Sequence, residues 1–143
     1  MSNLSNRLKE CMEERNIDQY HLSQETKIER SNISEFLSEK HTPSFENFVA
    51  LLYFFNCSAD YLLGRTDIHT EEPLHALPPF HERLRHILKI YNISQSKLIK
   101  ELPISSSALY KWVSGKSLPS IDSLLRLADY LDCTVDYLIG RVK

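Results

Sequence analysis

The chain is poor in glycine: only three occur in 143 residues, Gly64, Gly115 and Gly140. No Asn-Gly or Asp-Gly pair is present, so the strongest short-range hairpin signal is missing, as is any glycine-rich loop of the kind that cradles phosphates. Cysteine is scarce and odd in number, with no framework spacing. That argues against a disulfide scaffold and fits a reducing compartment. Cys57 and Cys133 follow apolar stretches and are expected as small buried side chains. No apolar run approaches the length of a membrane span, and Met1–Ile17 lacks a signal-peptide pattern. A cytoplasmic protein without a membrane partner is expected. No Ser/His/Asp or Cys/His set has supporting context, so no enzyme is expected. Among six histidines (His21, His41, His69, His75, His81 and His86), His81 and His86 stand five apart, off the spacing that shares a helix face. Neither a metal nor a cofactor is expected.

What the chain has, it has twice. With a fixed offset of 76 and no gap, Asp60–Arg65 (DYLLGR) lies on Asp136–Arg141 (DYLIGR), Pro43-Ser44 on Pro119-Ser120, and Asn16-Ile17 on Asn92-Ile93. Arg7-Leu8 lies on Arg83-Leu84 and Cys57 on Cys133. About 20 of about 65 paired positions are identical, over a period too long for a stacking solenoid unit. The repeat predicts a duplicated domain, with one copy at residues 1–67, a linker at 68–79 and a second copy at 80–143. The linker carries Glu71, Glu72, Pro73, Pro78 and Pro79 and lacks helical apolar spacing.

The whole-chain charge of −2 averages a split. Residues 1–69 hold 7 Lys/Arg against 11 Asp/Glu, a balance of −4, whereas residues 77–143 hold 10 against 6, a balance of +4. Net charge governs steering and nonspecific association rather than fold, so the two copies are built for different partners.

Apolar spacing is helical throughout. The second copy reads as five short helices. The first covers about Pro79–Tyr91, with Leu84, Ile87, Leu88 and Tyr91 on one face. Ser94 caps a helix to about Leu102 with Leu98 inward, before Pro103 breaks the chain. Ser105 caps the third, about Ser106–Ser114, with Leu109, Trp112 and Val113 on its inner side and Gly115 as its left-handed stop. Ser120 caps the fourth, backed by Ile121, Leu124, Leu125, Leu127, Ala128 and Leu131. Thr134 caps Val135–Ile139, closed by Gly140. The first copy maps on, with caps at Asp18, Ser44 and Ser58. Its core candidates include Leu8, Ile17, Leu22, Ile28, Ile33, Phe36, Phe48, Leu51, Leu52, Phe55, Tyr61 and Leu62. Tyr61 and Tyr137 are expected as packing anchors.

Ser94–Ser114 (SQSKLIKELPISSSALYKWVS) and Asp18–Ser38 (DQYHLSQETKIERSNISEFLS) each read as a helix, a tight turn and a second helix with a polar, exposed start. A helix about 10–12 Å across fits the major groove of B-DNA, where base edges show a full donor and acceptor code. Together with Trp112–Ser120, Leu127–Leu131 and Asp136–Arg141, these segments resemble the Cro/phage-repressor family. The resemblance covers both copies almost end to end. It implies an all-α protein of two tandem five-helix, lambda-repressor-like helix-turn-helix domains that reads double-stranded DNA as a transcriptional regulator, a repressor by preference. The second helix of such a motif enters the groove. The implied contacts in the second copy are Ser105, Ser106, Ser107, Tyr110 and Lys111 at base edges, with Gln95 and Lys116 at phosphates. In the first copy they are Gln19, Arg30, Ser31, Asn32, Ser34 and Glu35, where Arg30 suits guanine, Asn32 adenine and Glu35 cytosine. The first copy departs from the pattern: Glu29 replaces the small capping residue, Glu39 stands where Gly115 does, and Glu35 adds negative charge. The second copy is therefore expected to do most of the binding. The alternative is an interaction module, an antitoxin or adaptor, whose acidic first domain holds a protein partner. A homodimer is left open.

Overall fold

The structure, a computed structural model, describes residues 3–69 and 76–142. Among them every regular element is an α-helix, and the chain parts at residues 72 and 73 into two units. The first unit holds α1 (Asn3–Arg15), α2 (Gln19–Thr26), α3 (Arg30–Leu37), α4 (Phe45–Phe55) and α5 (Ala59–Leu62). The second holds α6 (Phe80–Ile90), α7 (Gln95–Glu101), α8 (Ser106–Ser114), α9 (Ile121–Leu131) and α10 (Val135–Ile139).

The caps explain the boundaries. Each helix start leaves backbone N–H groups without intrahelical partners, and a short polar side chain just ahead accepts from one of them. Asp18, Ser44 and Ser58 do this in the first unit, and Ser94, Ser105, Ser120 and Thr134 in the second. Left-handed residues stop the helices: Gly115 after α8 (φ 83°) and Gly140 after α10 (φ 92°).

The same positions form both cores. Leu8, Leu22, Ile33, Phe48, Leu51 and Leu62 are fully buried, and so are their equivalents Leu84, Leu98, Leu109, Leu124, Leu127 and Leu138. Phe36 and Trp112, also equivalent, are each 5% exposed. Four expected core residues lie only half inside. Ile17 follows the end of α1 and rims a surface groove, Tyr91 is the capping residue just past α6, and Val113 and Leu125 are half-buried within α8 and α9. Cys133 also departs from expectation: Cys57 is wholly buried, but Cys133 is half-buried.

The repeated Arg-Leu and Asp-Tyr-Leu pairs form a clamp. The Arg7 guanidinium lies 4.1 Å from the centre of the Tyr61 ring, and Arg83 lies 4.6 Å from that of Tyr137. Burial raises the Tyr61 pKa above its ordinary value, against the opposing hydrogen bond and charge of Arg7. In the first unit Arg7 also donates to the Thr66 carbonyl and pairs with Asp67 at 3.0 Å, and His69 rests against the Tyr61 ring. In the second, Arg83 donates to the Tyr137 carbonyl instead. Of the expected linker, Glu71, Glu72, Pro73 and also His75 lie outside the described residues. No described helix is long and apolar enough to cross a membrane.

Candidate nucleic-acid interface

The helix-turn-helix segments are α2–α3 and α7–α8, and their turns are built differently. In the first, Lys27 takes the left-handed conformation (φ 64°) at the end of α2. Two hydroxyls brace that turn. Ser23 donates to the Ile28 carbonyl, while Thr26 Oγ1 donates to the Leu22 carbonyl at 2.7 Å and accepts from the Ile28 N–H at 3.3 Å. In the second, Pro103 stands at the place of Lys27, and its ring fixes φ near −65°, so the left-handed route is closed. The residue before a proline avoids the helical region. Leu102 is accordingly extended (φ −114°, ψ 150°), and α7 ends one residue earlier than α2. Ile99 and Leu102 replace the two bracing hydroxyls.

Both second helices show a polar outer face. On α8, Ser106, Ser107, Tyr110 and Lys111 are exposed, while Leu109 and Trp112 hold the helix to the core. Ser105 is exposed too, but its Oγ accepts from the Ala108 N–H at 3.0 Å, which makes it the cap of α8. The Lys116 ammonium lies 5.0 Å from the centre of the Tyr110 ring, so these two expected contact residues form one unit. On α3, Arg30, Ser31 and Ser34 are exposed, and Asn32 and Glu35 half-buried. Glu29 makes no side-chain cap. The Glu35 carboxylate lies 3.1 Å from His41 Nε2. Glu39 does adopt the left-handed conformation of its equivalent Gly115 (φ 66°). A Cβ on Gly115 would come 3.0 Å from His81 Nδ1. The first unit has the smaller Ser5 at that position, which leaves room for Glu39.

Sequence reasoning missed a pair of equivalent grooves beside these motifs, each formed where the first helix of a unit ends and the second begins. Their volumes are about 490 and 460 Å³, so the copies keep a cleft of similar size at equivalent places. Their charge differs. Lys9, Glu13, Asp18 and His21 line the first, and a hydrogen bond from the His21 backbone, then one from its ring, lowers the Asp18 pKa. Arg85, Lys89, Ser94, Gln95 and Lys97 line the second. Three cations replace a mixed set in the same cleft, and no acid remains among the lining residues. Gln95 is exposed there, and Gln19 is half-buried at the equivalent place. The charge split gave the sign of the second copy but not this surface, since nothing in the sequence pattern brings α6 and α7 together at it. Among the described residues, no cluster of His, Cys, Asp or Glu could hold a metal ion.

Comparison with known proteins agrees with this geometry. Residues 5–68 match the helix-turn-helix domain family, and residues 83–143 match the Cro/C1-type HTH DNA-binding domain. Over 60 residues, 42% of its length, the chain is 37% identical to the cryptic phage CTXphi transcriptional repressor RstR of Vibrio cholerae, covering 54% of that protein. Over 61 residues, 43% of its length, it is 33% identical to the HTH-type transcriptional activator BcrR of Enterococcus faecalis, covering 30% of it. The chain thus spans about half the length of one of these relatives and under a third of the other. No solved structure matches.

Proposed function

Because the chain is a tandem pair of helix-turn-helix domains, the second of the Cro/C1 type, we propose that it is a sequence-specific, double-stranded DNA-binding transcriptional regulator acting mainly through its second domain. The observation that carries this reading is the charge on one shared shape. The second domain sets exposed Lys111 and Lys116 around a polar helix and three cations in the adjacent groove; the first domain keeps cations at Lys40 and Lys9 but has Glu35 in place of Lys111, Glu13 in place of Lys89 and Asp18 in place of Ser94. In this reading α8 enters the major groove. Ser106, Ser107, Tyr110 and Lys111 face base edges, Ser105 holds the helix start, and Gln95 and Lys116 meet phosphates. Arg85, Lys89 and Lys97 extend the phosphate contact. Gln19, Arg30, Ser31, Asn32, Ser34 and Glu35 form a weaker second reader. The repressor reading takes its support from the Vibrio cholerae relative, which the chain covers over more of its length than the activator.

The test is selection of sites from random duplexes with the full chain, followed by salt titration on the selected site. Lys111→Ala should cost about 1–3 kcal/mol and relax discrimination at one base pair, while Lys116→Ala should weaken all sequences alike and lower the salt slope by about one. If these substitutions leave binding unchanged while Arg30→Ala abolishes it, the assignment to the second domain fails.

A further inference from the structure

Two of the three cysteines meet inside the first unit. Cys11 lies on α1 and Cys57 in the turn between α4 and α5, and both are buried (4% and 0% exposed). Their side chains are hydrogen-bonded to each other, so the fold brings the two sulfurs into contact. The turn that carries Cys57 is fixed on both sides. It follows the left-handed Asn56 (φ 50°), its N–H donates to the Leu52 carbonyl at 3.2 Å, and the Ser58 cap of α5 comes next. The second unit has no such pair. Ile87 stands at the place of Cys11, fully buried, and Cys133, at the place of Cys57, is half-buried and shares a hydrogen bond with Tyr91. The same core position accepts an aliphatic side chain, so packing alone does not call for a sulfur at position 11.

We propose that Cys11 and Cys57 are a site of reversible disulfide formation, a dithiol that hydrogen peroxide oxidises within the folded first unit and that the second unit lacks. Bridging two cysteines without moving the backbone requires side chains that already lie together, and the hydrogen bond puts them there. The pair is also asymmetric. The hydrogen bond from Cys57 and, more weakly, the charge of Arg7 one turn away lower the Cys11 pKa, against the opposing effect of burial. The thiolate is the nucleophile, so Cys11 attacks first. Its sulfur bonds to one peroxide oxygen as the O–O bond breaks, and the hydroxide that leaves takes up the Cys11 proton as water. The product is a sulfenic acid at Cys11, which condenses with a neighbouring thiol. The Cys57 sulfur then displaces the hydroxyl: the S–S bond forms, the S–O bond breaks, and the hydroxyl leaves with the Cys57 proton as a second water. Two thiols lose two electrons and two protons, and one peroxide becomes two waters. In a reducing compartment such a bond is transient, and exchange with a thiol restores the pair.

The test is mass analysis of the full wild-type chain after treatment with hydrogen peroxide, with circular dichroism recorded alongside to show that the helices persist. The intact protein should become lighter by two hydrogens. Its tryptic peptides containing Cys11 and Cys57 should be joined, while the Cys133 peptide stays separate and can still be alkylated. Dithiothreitol should restore the original mass and both thiols. Cys57→Ala leaves the sulfenic acid at Cys11 without its partner, so dimedone should label Cys11 there and not in the wild type. A folded wild type whose Cys11 and Cys57 stay reduced overturns the proposal. So does a link between them that appears only in urea, or oxidation that joins chains through Cys133 instead.

Discussion

The two turns solve one problem by different means. Both must connect a short helix to a second one and leave the start of the second exposed. The first copy does it with a left-handed Lys27 and hydroxyls from Ser23 and Thr26, the second with Pro103 and apolar neighbours. Trading three hydrogen bonds for one ring leaves the buried positions unchanged: Leu22 and Leu98, then Ile33 and Leu109, are all fully buried. The surfaces, by contrast, have diverged in charge. Packing constrains the inside of a fold strongly and its outside weakly, so a duplicated domain can keep one copy's shape while changing its partner.

The largest expected effect tests the shared core. Trp112→Ala should cost about 3–5 kcal/mol and unfold the second domain, a large share of what so small a domain holds. Phe36→Ala should do the same to the first. A thermal melt in which either variant keeps both domains folded would break the equivalence. Next comes charge. Arg85→Ala should lower the slope of log K against log salt by about 0.9, while the equivalent change Lys9→Ala in the first groove should leave it unchanged. Equal effects would mean that the two grooves serve DNA alike.

Three smaller changes sharpen the comparison at α3 and α8. Gly115→Ala puts a Cβ on a left-handed residue and against the His81 ring, and should cost about 1–2 kcal/mol. Glu39→Gly, the reverse exchange in the first copy, should stabilise by about 0.5–1 kcal/mol. Smallest in scope is Glu29→Ser, which gives α3 the cap that Ser105 gives α8. It should stabilise the first domain by about 1 kcal/mol and slow hydrogen exchange at the Asn32 amide, with no change at α8.

Much of this was legible from residue order. Hydroxyl caps and Gly115 mark helix ends through purely local chemistry, so Ser105–Gly115 could be placed from the sequence with its buried Leu109 and Trp112. The exposed face of α8 follows from the same period. The left-handed Lys27 was not legible, because a lysine carries no preference for that conformation and adopts it here only where hydroxyls brace the chain. The grooves were not legible either. Arg85 and Lys97 belong to different helices, and only the packing of those helices brings them to one cleft. Cys133 and Ile17 looked like core because hydropathy records residue type and not the edge of a helix.

The turns also differ in how they behave in time. Proteins open locally, and each opening ends when the segment finds its closed form again. Around Lys27, closing means aligning two hydroxyls and a strained backbone, and an open chain there has many conformations to search. Around Pro103 the ring has already removed most of them, before and after every opening. The open form of the α7–α8 turn therefore has fewer conformations to search on closing than that of the α2–α3 turn.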